Sequence, residues 1–262
     1  MKESTPEYLP EGAILFEGRY VDLMPALLAK QSPKLSPVSP AWVMDQRNEN
    51  PDMNHSLWNT YFDTDFGVAV TGNYTLALPH SPQLRAVTPE TRCVDYGIDA
   101  PVLKGANVYD AKSLILGEPL TEKQAHESPF WLDAADGNQN RLDKYVENAF
   151  RLGKDKYRND KMMGIYVSED GKLRGLVVMD LNNTCSAYGN SVLDDSIARL
   201  VGVREEVAEG DDAQKEVPSA IYFPNPSEVA KNITLVKGVR DGTMPAKDLE
   251  EILLFLGKFR KK

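Results

Sequence analysis

The chain has 262 residues, 42% of them hydrophobic and 26% charged, and carries a formal net charge of −9. Those values belong to a folded protein that buries a core without disulfides or metals. The acidic balance argues against a protein whose main task is to hold nucleic acid or an anionic membrane, because both need basic surface.

No run approaches the roughly 20 apolar residues needed to cross a bilayer. The opening Met1-Lys-Glu-Ser-Thr-Pro-Glu7 lacks the apolar stretch of a signal peptide. A soluble, cytoplasmic protein with no membrane contact is the expectation. The two cysteines, Cys93 and Cys185, stand in no paired motif and read as small buried side chains.

In chain order, residues 1–12 read as a tail. Residues 13–16 and 19–23 flank Glu17-Gly18 and suggest a hairpin, followed by a helical turn over 25–30. Residues 31–40 carry Pro33, Pro37 and Pro40 among serines; proline removes an amide donor and restricts φ, so a loop is expected. Residues 45–59 are polar and turn-rich. Two strands, 67–70 and 74–78, are joined by Thr71-Gly72-Asn73 as a hairpin. Prolines recur through 79–106. Thr121-Glu-Lys-Gln124 is a capping box for a short helix that Pro129 ends.

The most consistent stretch runs from Asp136 to Asp180. Asp136 reads as a helix cap, with Gln139 placed to bond back to it. Leu142, Tyr145, Val146, Ala149 and Gly153 keep a 3.6-residue period, which predicts a helix over 138–158. Residues 163–167 and 173–179 flank Asp170-Gly171, a short-range hairpin signal. The unbroken apolar run from Leu176 to Met179 predicts a strand covered on both faces and central in its sheet.

Beyond it, 181–190 reads as a polar loop, 191–200 as helical and 205–216 as an acidic loop. Residues 220–223 suggest a short strand, and Asn225-Pro226-Ser227-Glu228 starts a helix. A last helix carries Leu249, Ile252, Leu253, Leu256 and Phe259, and Leu254 and Phe255 make it apolar nearly all round. Such a helix is buried or meets another chain.

These elements predict an α+β fold: a mostly antiparallel sheet with a long helix (138–158) packed on it, a C-terminal helical pair, and a loop-rich N-terminal lobe. Hairpins in place of βα alternation argue against a doubly wound sheet. A single domain over 1–262 is expected, with a loop-rich lobe over 13–130 and a helix–hairpin–helix lobe over 131–262.

The most suggestive chemical string is Phe62-Asp63-Thr64-Asp65-Phe66-Gly67. Two carboxylates two residues apart, with His55 nearby, form a candidate set for a divalent metal. The competing reading is a turn whose aspartates bond their own backbone before strand 67–70. Asp180, Asn182 and Thr184 follow an apolar strand, as in a phosphoryl-accepting loop. Asn182, however, stands where a general acid is required, so a capped strand end is the preferred reading.

His55, His80 and His126 share no metal-ligand spacing. No nucleophile elbow, phosphate loop or dinucleotide fingerprint occurs. Trp42, Trp58, Tyr61, Phe62 and Phe66, with Arg47 and Arg85, either line a ligand or partner surface or fill a core short of long elements.

Two functions are carried forward. The first is a non-enzymatic binding or assembly protein, working through the aromatic lobe or through 249–259 as a contact with a protein partner or a second copy. The alternative is a metal-dependent hydrolase with Asp63, Asp65 and His55 at its centre and Asp63 and Asp65 on the metal.

Overall fold

The computed structural model describes residues 1–91, 94–95, 106–110, 112–193 and 197–204. Met1–Val207 is one compact unit, and the other, Ala208–Lys262, lies outside the described residues. So do Cys93, every element expected after residue 204, the C-terminal helical pair and the 249–259 contact.

The expected N-terminal tail contains an edge strand, β1 (Lys2–Ser4), paired antiparallel with β2 (Ile14–Gly18). Residues 19–23 do not return as a second hairpin arm; they open helix α1 (Tyr20–Leu28). Tyr20, Leu23, Met24 and Leu27 keep helical spacing and are buried, and that periodicity outweighs the local β preference of Tyr20 and Val21.

After the short strand β3 (Leu35–Pro37), Ser39 caps helix α2 (Pro40–Glu49), accepting from the Trp42 amide, with Pro40 in the first turn. The polar 45–59 stretch is thus partly helical. Strand β4 (Phe62–Thr71) and β5 (Tyr74–Leu78) form the expected hairpin, with Gly72 supplying a positive φ of 56°. The stretch 13–130, expected to be loop-rich, contributes two regular helices and a ten-residue strand.

Helix α3 (Pro82–Arg85) and strands β6 (Val94–Asp95), β7 (Asn107–Asp110) and β8 (Leu120–Thr121) follow. Thr121 completes its capping box on α4 (Glu122–His126), and Pro129 opens α5 (Pro129–Ala134). The long helix α6 (Gln139–Tyr157) is capped by Asn138, whose side chain accepts from the Arg141 amide. Asp136 is instead left-handed, with a φ of 54°. The chain ends its described part with β9 (Lys161–Met162), β10 (Ile165–Val167), β11 (Lys172–Val178), β12 (Ala187–Gly189) and β13 (Ala198–Arg204). Residues 198–200, expected to be helical, are strand.

Eleven of these strands share one sheet, in the order β1-β2-β13-β4-β11-β12-β10. Within it β3 lies on β13, β5 on β4, β7 on β5 and β6 on β11. The sheet is mixed rather than only antiparallel: β13 runs parallel to β4, and β10 to β12.

The expected 163–167/173–179 hairpin is not formed. Gly171 makes its turn at a φ of 70°, yet β12 inserts between the two arms, pairing Ala187 with both Val178 and Ile165. Consecutive left-handed residues, Thr184 and Cys185, fold the chain back along β11. The supposed polar loop 181–190 is therefore a 3-10 turn (Leu181–Asn183) followed by a strand.

Helices cover both faces of the sheet. On one, α6 buries Leu142, Tyr145, Val146 and Ala149 with Phe66, Val68 and Leu176. Helix α2 extends that cover over Phe62 and Val178. On the other, α1 and α3 bury Leu23, Leu27 and Leu84 with Ala69, Leu173 and Leu200. Strand β11 is buried from Leu173 to Val178, Arg174 included, and of the apolar run Leu176–Met179 the first three residues are buried and Met179 is half-buried. Among the described residues, no helix is long and apolar enough to cross a membrane.

Candidate functional site

Asp63 and Asp65 lie inside β4, not in a turn before it. Residues opposite one another on neighbouring strands share a face of the sheet. The register therefore sets a row across four strands, with Leu200 beside Asp63, Asp63 beside Val177 and Val177 beside Tyr188. The row lies on the face opposite α6.

Helix α1 covers only part of that face. The Tyr20 ring lies over Gly175, where an added Cβ would come within 3.4 Å of it. Leu193 and Ile197 form a second wall. Between them opens a cleft of about 290 Å³ lined by Tyr20, Tyr61, Asp63, Val177, Met179 and Tyr188. At its rim Val192 and Ile197 are 45% and 65% exposed.

Three polar side chains of the cleft, Asp63, Tyr61 and Tyr20, are held by hydrogen bonds. Asp63 is buried, and its Oδ2 accepts from the Arg199 amide at 2.6 Å. The Tyr61 hydroxyl donates to the Ile197 carbonyl at 2.5 Å. The Arg199 guanidinium lies 4.7 Å from the Tyr61 ring centre and pairs with Glu17 at 3.3 Å. Tyr20 donates to the Thr64 carbonyl at 3.0 Å. Burial first, then the charges of Asp65 and Asp63, push its phenol well above the usual range, so it stays neutral.

Asp65 sits where β4 and β11 slip register, a bulge that re-aims side chains. Its backbone bonds Val38 and Ser81 rather than β11. Its fully buried carboxylate takes Arg85 Nη2 at 2.5 Å, Arg85 Nε at 3.1 Å and His80 Nδ1 at 3.1 Å, all on Oδ2; Oδ1 has no partner. The bond to Asp65 raises the pKa of the half-exposed His80 imidazole, against the effect of its burial. Arg85 is therefore spent on a buried ion pair.

The other expected site residues do not converge here. His55 caps the 3-10 turn Ser56–Asn59, its Nδ1 accepting from the Leu57 amide at 3.3 Å. It does not join Asp63 and Asp65. Among the described residues no three His, Cys, Asp or Glu side chains are gathered so as to hold a metal ion.

Trp58, Phe66 and Arg47, named above as a candidate ligand or partner surface, are buried in the core. Trp58 stacks on Tyr145 at 5.6 Å, and Phe66 meets Phe130 edge-on at 5.9 Å. Arg47 is fully buried and donates to the Leu57, Thr60 and Met179 carbonyls and to the Tyr145 hydroxyl. Trp42 is half-buried against the cluster of Val43, Phe62 and Val178.

Asp180 caps the turn after β11 by accepting from Asn183. His126 pairs with Asp143 at 2.7 Å. Burial pushes the Cys185 thiol up to about 11, so it stays protonated.

Of the aromatic group singled out in the sequence, Tyr61 reaches the cleft. Tyr20, Val177 and Tyr188 carry no motif, and only strand register aligns Val177 and Tyr188 with Asp63.

No protein-family model matches the chain, and no curated protein is significantly similar to it. One solved structure, reported as the accommodation of massive sequence variation in Nanoarchaeota by the C-type lectin fold, is 22% identical. The match covers 76% of this chain and 100% of that one, with a TM-score of 0.55. The likeness is one of fold: a mixed α/β architecture with a large sheet, similar to the C-type lectin fold.

Proposed function

We propose that this chain is a non-enzymatic binding protein and that the cleft beside Asp63, Val177 and Tyr188 is where it holds a ligand. The observation that carries the reading is a break in the helical cover among the described residues. Helices α1 and α3 pack over Ala69, Leu173 and Leu200 on that face, whereas this row lines a concave, largely aromatic and apolar space with the Asp63 carboxylate among its described lining residues. Ligand sites have that character: apolar walls with a few convergent polar groups. A volume of about 290 Å³ suits a small molecule or one side-chain-sized group.

The fold likeness lends support of a general kind. The fold is reported elsewhere to accommodate massive sequence variation, and a fold does not by itself specify a function, which resides in the site it carries. The hydrolase reading has no comparable support, because Asp63, Asp65 and His55 are not gathered and Asp65 is tied to Arg85.

The test is an amide-shift map of the full chain against a mixture of small aliphatic and aromatic compounds of positive, zero and negative charge. Shifts are expected to concentrate at 175–179 and 187–193 and to disappear in Val177→Trp, which fills the cleft. Silence at those amides, or shifts that survive the filled variant, would refute the reading.

A further inference from the structure

The polar groups of the cleft indicate a ligand class, an inference that rests on the cleft being a binding site. Five polar side chains are among its described lining residues: Tyr20, Tyr61, Asp63, Tyr188 and Ser191. Three of them are committed within the protein. Tyr20 and Tyr61 donate to backbone carbonyls, and Asp63 accepts from the Arg199 amide and has a further interaction of its own. Tyr188 and Ser191 are half-buried, and their hydroxyls make no hydrogen bond to another described residue.

Asp63 is the only charged residue of the described lining, and its charge is already engaged. A cation would have to compete with the partners that Asp63 already has. An anion would face the same carboxylate with little water between them. Arg199 offers an anion no answer, because it pairs with Glu17 and is not among the lining residues. An uncharged ligand meets neither cost. A hydroxyl both donates and accepts, so Tyr188 and Ser191 match a neutral hydroxyl or carbonyl. Val177 and Leu193, with Val192 and Ile197 at the rim, supply apolar surface for the rest of the molecule.

We infer that the cleft takes an uncharged amphiphilic molecule, with one hydroxyl or carbonyl at the Tyr188 and Ser191 hydroxyls and an apolar body along Val177 and Leu193. The chemistry is shared by a free alcohol or ketone and by the tyrosine side chain of a protein partner.

The experiment titrates four probes built on one ring into the full chain: benzyl alcohol, toluene, benzylamine and benzoate. Amide shifts of β11 and β12 give the affinities. Benzyl alcohol and toluene are each expected to bind about tenfold or more tightly than either ion. An ion that binds as tightly as benzyl alcohol would overturn the inference while leaving the cleft as a binding site. Failure of all four probes would overturn it as well, and the mixture experiment separately decides whether the cleft binds anything.

The hydroxyls are tested by Tyr188→Phe and Ser191→Ala, which remove them and keep the surrounding surface. Together the two changes are expected to weaken benzyl alcohol about three- to tenfold and to leave toluene unchanged. Equal losses for both probes, or no loss for benzyl alcohol, would refute the role given to the hydroxyls. Should the double variant fail to fold, the same comparison is made in each single variant. N-acetyltyrosinamide separates the sources. Binding at least as tight as that of benzyl alcohol supports a partner's tyrosine, whereas exclusion of its backbone while benzyl alcohol binds supports a free compound.

Discussion

Arg47 carries a full positive charge to a place that water does not reach. Removing a guanidinium from water costs several kcal/mol, and the charge is tolerable only where its donors are used. Here they are: three carbonyls and a tyrosine hydroxyl accept from it, and Trp58 lies beneath it at 5.5 Å. Its partners come from the α2–β4 connection, from α6 and from the end of β11, so one planar group ties three parts of the chain together. Arg47→Ala would leave those acceptors buried and unpaired and is expected to cost about 3–5 kcal/mol in urea unfolding. Arg47→Lys should recover little of it, because one ammonium cannot reproduce the fork. A loss under about 1 kcal/mol for the alanine variant would mean that water satisfies the site and that the network is not what holds these elements. The sequence made Arg47 a candidate ligand contact because nothing local distinguishes a buried arginine from an exposed one. Its acceptors lie up to 132 residues away and meet only in the fold.

At the scale of elements, legibility followed periodicity. Helix α6 was readable because Leu142, Tyr145, Val146, Ala149 and Gly153 all face one way and all are buried. Helix α2 was not, because its buried side includes Arg47 and Asn48, polar residues admitted by specific bonds that no apolar stripe announces. The turn at Gly171 was readable, but a turn decides only where the chain reverses; which strand then lies beside β11 was decided by β12. The start of α6 separates two local signals. Asn138 makes the cap bond, and Asp136 precedes it in a left-handed conformation that asparagine also tolerates. Asn138→Ala is therefore expected to cost about 1 kcal/mol, or roughly 2–4 °C in melting temperature. Asp136→Asn keeps the conformation and loses only a long, half-exposed contact to Arg141 at 3.9 Å, so it should cost less. If Asp136→Asn proved the more damaging in a side-by-side melt, the cap would belong to Asp136.

At the scale of the molecule, the sheet interleaves distant parts of the chain. The last described strand, β13, lies between β2 and β4, and its Val201 pairs with Leu15 while its Leu200 lies beside Asp63. No local pattern encodes a pairing over such separations, which is why the sheet order and the cleft built on it were invisible in the sequence. The same long separations bear on stability. A chain must close large loops before contacts of this kind repay it, so the central strands have little means of forming or dissolving piecemeal. The cleft inherits that property, since its lining comes from α1, β4, β11, β12 and β13. In native-state hydrogen exchange under low denaturant, the paired amides of β4, β11 and β13 should exchange only through global unfolding. Those of the peripheral strands β1 and β7 should open by local fraying at lower free energy. A β2–β13 pair that opened well below the β4–β11 pair would divide the sheet into two cooperative units. The row, with Leu200 on one side and Asp63, Val177 and Tyr188 on the other, would then straddle a seam between β13 and β4, and its shape would depend on an opening equilibrium. A common free energy across the three central strands would make the cleft as rigid as the sheet itself, the condition under which a ligand pays least to bind.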